Sequence, residues 1–143
     1  MTSRDQNTPV SILPIIVNPP HLYDPTPNGY STAVISPAAG RLAFVSGQGG
    51  QDQTGNLSPE FGNQVEQAYA NLAVVLDALG ALPRHVVKLT VFVVDHDMSK
   101  LGVLTENVVR MFGDVLPAQT LVPVSKLAID PMLFEVEAVV HLD

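Results

Sequence analysis

Two carboxylates stand two residues apart on an otherwise apolar stretch, Leu133-Phe134-Glu135-Val136-Glu137-Ala138. On a β-strand Glu135 and Glu137 share one face, and Phe134, Val136, Ala138 and Val140 take the other. A carboxylate so placed can orient a water molecule or take its proton. The same alternation also describes a solvent-facing edge strand. Burial separates the two readings. If a neighbour covers that face, at least one of the carboxylates becomes a site candidate, because a buried charge needs a partner.

Other residue types point to less chemistry. Gly47-Gln48-Gly49-Gly50-Gln51-Asp52-Gln53-Thr54-Gly55 is glycine-rich, but no Lys-Ser/Thr follows its last glycine, and Asp52 stands where a dinucleotide fingerprint needs a third glycine. A wide turn after a strand, with glycine supplying positive φ, is the expectation. His21, His85, His96 and His141 show no metal-binding spacing, so no metal or other cofactor is called for. In Asp95-His96-Asp97 the carboxylates read as caps of a following helix. Lys88 and Lys126 read as strand residues that extend into water or reach a cleft. No serine has a readable His/Asp partner set. The chain has no cysteine, which excludes disulfides and thiolate chemistry and suits a reducing cytoplasm.

The whole composition narrows the partners. A net charge of −7, from 14 acidic and 7 basic residues with no basic run, disfavours nucleic acid. The first seven residues, Met1 to Asn7, contain no apolar secretory segment. No apolar run reaches the roughly 18 residues of a membrane span, so no membrane contact is expected. The hydrophobic share of 46% argues for a packed domain. The charged share of 15% lies below the roughly 25% usual for soluble chains, which hints at surface buried between subunits.

The elements that must position these residues follow from periodicity. Residues 1–12 read as a flexible tail, 13–143 as one domain, and the proline-rich stretch 13–29 as an extended arm with a short strand at Ile15-Ile16-Val17. Ser31–Ile35 and Arg41–Ser46 read as strands of a hairpin turning at Ser36-Pro37-Ala38-Ala39-Gly40. Phe61, Val65, Ala68, Tyr69, Leu72, Val75, Leu76 and Leu79 form one stripe of a helix over Pro59–Leu79. Ser58 is its N-cap, Pro59 its first residue and Gly80 its stop. His85–Val94 is apolar on both faces and reads as a central strand. A second helix starts near Asp97 or Ser99 and ends before Gly113, burying Leu101, Leu104, Val108, Met111 and Phe112. Strands around Thr120–Ser125 and Leu133–His141 close the order β-β-α-β-α-β-β. That order favours an α+β layer with two helices on one face of a mixed sheet. A partner subunit would cover the other face.

Several segments together resemble the RidA/YjgF family. They are Gly29-Tyr30-Ser31, Val45-Ser46-Gly47-Gln48, Ala70-Asn71-Leu72, Val87-Lys88-Leu89-Thr90-Val91-Phe92, Pro117-Ala118-Gln119-Thr120 and Leu133-Phe134-Glu135-Val136-Glu137-Ala138. The resemblance spans roughly residues 28–142 in one order. It implies a chorismate-mutase-like fold and a homotrimer with ligand clefts between neighbouring subunits. Active members hydrolyse reactive enamines and imines. In them an arginine grips the substrate carboxylate through a bidentate ion pair, and a glutamate positions or activates water. A tyrosine and the backbone of a Ser-Gly-Gln turn line the cleft.

By this resemblance Glu135 carries the catalytic role, and Tyr30, Ser46, Gly47 and Gln48 bind the ligand. The arginine's position holds Gln119, and Lys126, at opposite strand parity, does not replace it. Glutamine forms no ion pair, and a charge-assisted bond is about twice as strong as the neutral ones it offers. The resemblance therefore leaves three readings open. The first is a hydrolase or deaminase acting on a small polar, neutral or amide-bearing metabolite with a C=N or C–N bond. The second is a non-enzymatic trimer that binds a metabolite or a partner protein. The third is an ordinary 2-imino acid deaminase despite Gln119.

Overall fold

The computed structural model describes residues 13–143; the expected tail, residues 1–12, lies outside the described residues. The elements are β1 (Ile15–Val17), β2 (Ala33–Ile35), β3 (Arg41–Gly49), α1 (Phe61–Ala78), β4 (Val86–Val94), α2 (Leu101–Phe112), β5 (Ala118–Val124) and β6 (Phe134–Leu142). The four-stranded sheet has the order β3-β6-β4-β5. β4 runs parallel to β5 and antiparallel to β6, so the continuously apolar segment is a central strand of a mixed sheet. Both helices bury their stripes against one face of it, as expected of this α+β order.

The helix stripe of α1 buries Val65, Ala68, Tyr69, Leu72 and Leu76. Its start differs from the expected one. Glu60, not Ser58, is the N-cap, with an extended backbone, and the helix begins two residues after Pro59. Ser58 still accepts the Glu60 backbone N–H at 3.2 Å, which satisfies one donor near the helix start. At the other end Gly80 has φ of 70°, its N–H donates to Asp77 and the next N–H, of Ala81, donates to Leu76. This pair of bonds is the Schellman arrangement that closes a helix on a left-handed glycine. A short 3₁₀ turn, Met98–Lys100, leads into α2, and Asp97 caps it by accepting the Ser99 N–H at 2.8 Å. In α2 Leu104, Val108 and Phe112 are buried, whereas Leu101, expected in the stripe, is 42% exposed.

The expected hairpin of the second and third strands does not form. β2 pairs antiparallel with β1, Val34 opposite Ile16, in a separate two-stranded sheet. The loop Ser36–Gly40 is long enough to let the chain leave the main sheet, and the β-branched run Ile15-Ile16-Val17 offers β2 another edge. Ser31, expected in β2, instead makes an isolated parallel bridge to Ala118 at the start of β5.

The glycine-rich segment also differs from expectation. β3 continues through Gly49, and of this segment's glycines only Gly55 has positive φ. The others are needed because something lies where a side chain would be. A Cβ on Gly50 would stand 2.6 Å from the Cα of Gln64 in α1, and one on Gly47 would stand 2.3 Å from Oε1 of Glu135. The ladder between β3 and β6 shifts register between Val45 and Gln48, a bulge that contains Gly47.

Candidate ligand site

Tyr30 is held from both sides in sequence. Upstream, Asp24 Oδ1 accepts the Thr26 N–H at 3.0 Å and the Thr26 hydroxyl at 2.8 Å, fixing the 3₁₀ turn Thr26–Asn28. These bonds hold the Asp24 carboxyl below its ordinary value, the backbone bond contributing most. Gly29, with φ of 83°, packs against Thr105 of α2, where a Cβ would lie 3.4 Å from Thr105 Cγ2. Downstream, buried Ser31 donates its N–H to Pro117 O at 3.0 Å and its hydroxyl to Leu116 O. The arm thus crosses from α2 to β5 at Tyr30. The hydroxyls of Tyr23 and Tyr30 are hydrogen-bonded to each other, and this bond is the main cause that raises the Tyr30 pKa.

Gln119 lies on β5 opposite Leu89 of β4. Leu89 is fully buried under the helices, so Gln119 shares the helix-facing side of the sheet. There it lines a cavity of about 400 Å³ with Tyr30. Asn28 and Thr105 add polar groups to this wall, and Val91, Leu104 and Leu121 an apolar one. No Asp, Glu, Lys, Arg or His lines it among the described residues. The cavity can therefore hydrogen-bond a neutral ligand and offers no counter-charge to an ionised one.

Glu135 lies elsewhere. It pairs with Phe92 on β4 and Gly49 on β3, and its half-buried side chain takes the face opposite Phe134 and Val136. Glu137 shares that outer face and is exposed, as the alternation requires. The Glu135 carboxylate lies against Gly47. The Gln48 amide donates to Ser46 O at 3.0 Å. The residues singled out from the sequence thus form two groups. Tyr30 and Gln119 meet on the helix side. Ser46, Gly47 and Glu135 lie together on the outer side, whereas Gln48, opposite the buried Val136, turns to a recess lined by Gln67, Asn71 and Val75 of α1. The sheet separates the groups within one chain.

The lysines divide as well. Lys88 donates to the Thr120 hydroxyl at 2.8 Å on the outer face. Lys126, read as a strand residue, lies beyond the end of β5 and pairs with Asp130 at 3.3 Å, both largely exposed. It takes no part in the Gln119 cavity. Among the described residues no group of three His, Cys, Asp or Glu side chains could hold a metal ion. No helix there is long and apolar enough to cross a membrane.

Asn28, Thr105 and Tyr69 line the cavity without having been singled out as site residues. Only Tyr69 carried a signal, a polar tip within the otherwise apolar stripe Phe61, Val65, Ala68, Leu72, Val75, Leu76 and Leu79.

The mixed sheet with a two-helix layer defines a class of small α+β proteins, and the matches to known proteins fall within it. The profile of the family described as endoribonuclease L-PSP matches residues 24–142. The chain belongs to this family, the RidA/YjgF family. A RutC family protein of Pyrococcus horikoshii is 33% identical over 120 residues, covering 82% of this chain and 90% of that protein. A RutC family protein of Aquifex aeolicus is 35% identical over 117 residues, covering 79% and 87%. Among solved structures, a conserved Rid-family protein of Yersinia pestis superposes with a TM-score of 0.86 at 31% identity, over 90% of this chain and 98% of that one. RidA of a Psychrobacter species gives 0.66 at 31% identity, over 79% and 88%.

Proposed function

We propose that the chain assembles as a homotrimer whose clefts join the Gln119 group of one copy to the Glu135 group of the next, and that each cleft binds a small neutral metabolite and hydrolyses it at a C=N or C–N bond. One observation carries the choice of ligand: the Gln119 cavity has no charged side chain in its wall. The separation of the two groups by the sheet supports a site built from two copies. So does the outer face itself, where Phe44 is 76% exposed and Leu42 49% exposed beside half-buried Phe92 and Val122. Exposed apolar surface of this kind marks an interaction site.

In this reading Gln119 and Tyr30 hold the ligand by neutral hydrogen bonds. Glu135 takes a proton from water as the water oxygen attacks the imine carbon. The C=N electron pair goes to nitrogen, which is protonated. The resulting carbinolamine expels ammonia and leaves a carbonyl, so one imine and one water give one carbonyl compound and one ammonia. The family profile is described as an endoribonuclease. The net charge of −7 and the uncharged cavity give a phosphate backbone nothing to bind, which favours the small-molecule reading.

The test is ammonia release from imines generated in situ, neutral and carboxylate-bearing, by wild type, Gln119→Arg and Glu135→Ala. Turnover of neutral imines that disappears in Glu135→Ala is the expected result. Turnover by wild type of carboxylate-bearing imines alone would make Gln119 a tolerated stand-in for arginine and overturn the proposed ligand class. No turnover by any variant would leave a metabolite-binding trimer in place of an enzyme.

A further inference from the structure

Tyr69 breaks the pattern of its helix. Val65, Ala68, Leu72 and Leu76 fill the rest of the buried stripe with buried Gln64, whose amide is hydrogen-bonded to Ser58 O, Pro131 O and the Leu133 N–H, and a phenylalanine would fill the place of Tyr69 equally well. Its ring lies on Phe134 at 5.9 Å between centroids. The residue is 5% exposed, and its hydroxyl is buried with no hydrogen-bond partner. A phenol hydroxyl in that state is a cost to the fold, and buried hydroxyls normally find a partner.

The position of the residue says where a partner could come from. Tyr69 lines the Gln119 cavity and also a second cavity of about 380 Å³ between α1 and α2. Around the Gln119 cavity, Asn28 and Leu101 are exposed, whereas Tyr69, Val91 and Leu104 are buried. The exposed residues mark its mouth and the buried ones its inner end. Gln119, half-buried, stands between. Val91 and Leu104 bring no polar side chain to the inner end. With open space on two sides, the Tyr69 ring has room to tilt.

We propose that the Tyr69 hydroxyl is the hydrogen-bond donor at the inner end of the cavity, where it recognises a carbonyl or ether oxygen of a neutral ligand and sets the direction in which the ligand enters. This rests on the reading of the Gln119 cavity as the ligand site. Burial pushes the Tyr69 pKa up, so the group stays protonated and donates. A ligand with its oxygen inward and an amide or hydroxyl beside it reaches Tyr69 and Gln119 together. A ligand that leads with an ionised group places a charge against Val91 and Leu104 and is rejected. The residue therefore sharpens the ligand class from neutral and polar to neutral with a leading acceptor oxygen.

The probe is 2-pyrrolidinone, a neutral lactam, titrated by protein-observed NMR into the wild-type chain, Tyr69→Phe and Gln119→Ala. Tyr69→Phe should weaken binding about 3- to 10-fold, the worth of one neutral hydrogen bond. Its melting temperature should be unchanged or higher, because the variant removes an unpaired buried hydroxyl. If Tyr69→Phe binds as wild type does while Gln119→Ala has lost affinity, the role of Tyr69 falls and the cavity remains the ligand site. If Tyr69→Phe loses stability together with affinity, the hydroxyl is structural and the inference is overturned. If the lactam fails to shift cavity resonances of the wild type, or both variants bind it unchanged, the cavity reading itself fails and takes the inference with it.

Discussion

Gly47→Ala tests the link between the glycine-rich strand and Glu135. The added Cβ would stand 2.3 Å from Glu135 Oε1, 2.4 Å from Cδ and 2.7 Å from Cγ. Ordinary contact begins at 3.4 Å, so the carboxylate must retreat by roughly 1.1 Å, the difference of the two distances. The obstacle is the end of a half-buried side chain that can rotate away, so the cost to folding should be about 1 kcal/mol or less. Gly50→Ala is the contrast, because its Cβ would meet the Cα and backbone O of Gln64 at 2.6 and 2.7 Å. A helix backbone cannot step aside alone, and overpacking of that kind costs about 1–3 kcal/mol or more. Urea unfolding at one fixed protein concentration, so that the proposed assembly contributes equally to each variant, should rank Gly50→Ala well below Gly47→Ala. Function should rank them the other way. A displacement of about 1 Å at a reacting group can cost about 10²-fold in rate, so folded Gly47→Ala should lose most Glu135-dependent turnover. Equal destabilisation by the two variants would refute the reasoning that Glu135 gives way, and full turnover in Gly47→Ala would refute its catalytic placement.

Three further outcomes are expected. Gly80→Ala meets no atom within 4 Å but must keep φ near 70°, so it should lose about 1–2 kcal/mol from backbone strain alone, measured by chemical denaturation. The carboxyls of Asp24, Asp52 and Asp97 are held below their ordinary 3.8, chiefly by bonds from the Thr26 N–H, the Thr54 hydroxyl and the Ser99 hydroxyl respectively. The unfolded chain therefore takes up protons first, and the stability these groups confer is present above 3.8 and lost as pH falls below it. Asparagine at the three positions should flatten the acid limb of a melting-temperature profile; an unchanged limb would mean that other groups set it. Phe44→Asp places a charge on the exposed outer face and should shift sedimentation from trimer to monomer with the circular dichroism retained, whereas an unchanged trimer would remove that face from the interface.

The sequence revealed those parts of the fold in which one element's pattern is self-sufficient. The 3.6-residue stripe of α1 and the alternation of β6 each fix their own buried face. Phe134, Val136 and Ala138 pointing toward the helices already put Glu135 on the far side. The side taken by Gln119 was not readable in this way. In Gln119-Thr120-Leu121-Val122-Pro123-Val124 apolar residues occupy both parities, so only the pairing of Leu89 with Gln119 reveals which way the glutamine points. The hairpin failed for a related reason, since β2 had two possible edges and local turn chemistry does not choose between them. The glycines were legible as a cluster, but their cause, Glu135 and Gln64 arriving from distant segments, lies in tertiary contact.

The position of β6 in the sheet has a consequence for how the chain reaches its native state. β6 sits between β3 and β4, so these two earlier strands never touch except through it. β4, α2 and β5 can close locally as a parallel crossover, but β3 must wait for a partner 97 residues further along, from Ala43 to Val140. Closing a loop that long makes this pairing the slow, non-local step. During synthesis β3 and β4 both precede the strand that joins them. Until β6 emerges, each presents an open, apolar edge, and this is the interval in which a nascent chain is most exposed to wrong pairing with its neighbours.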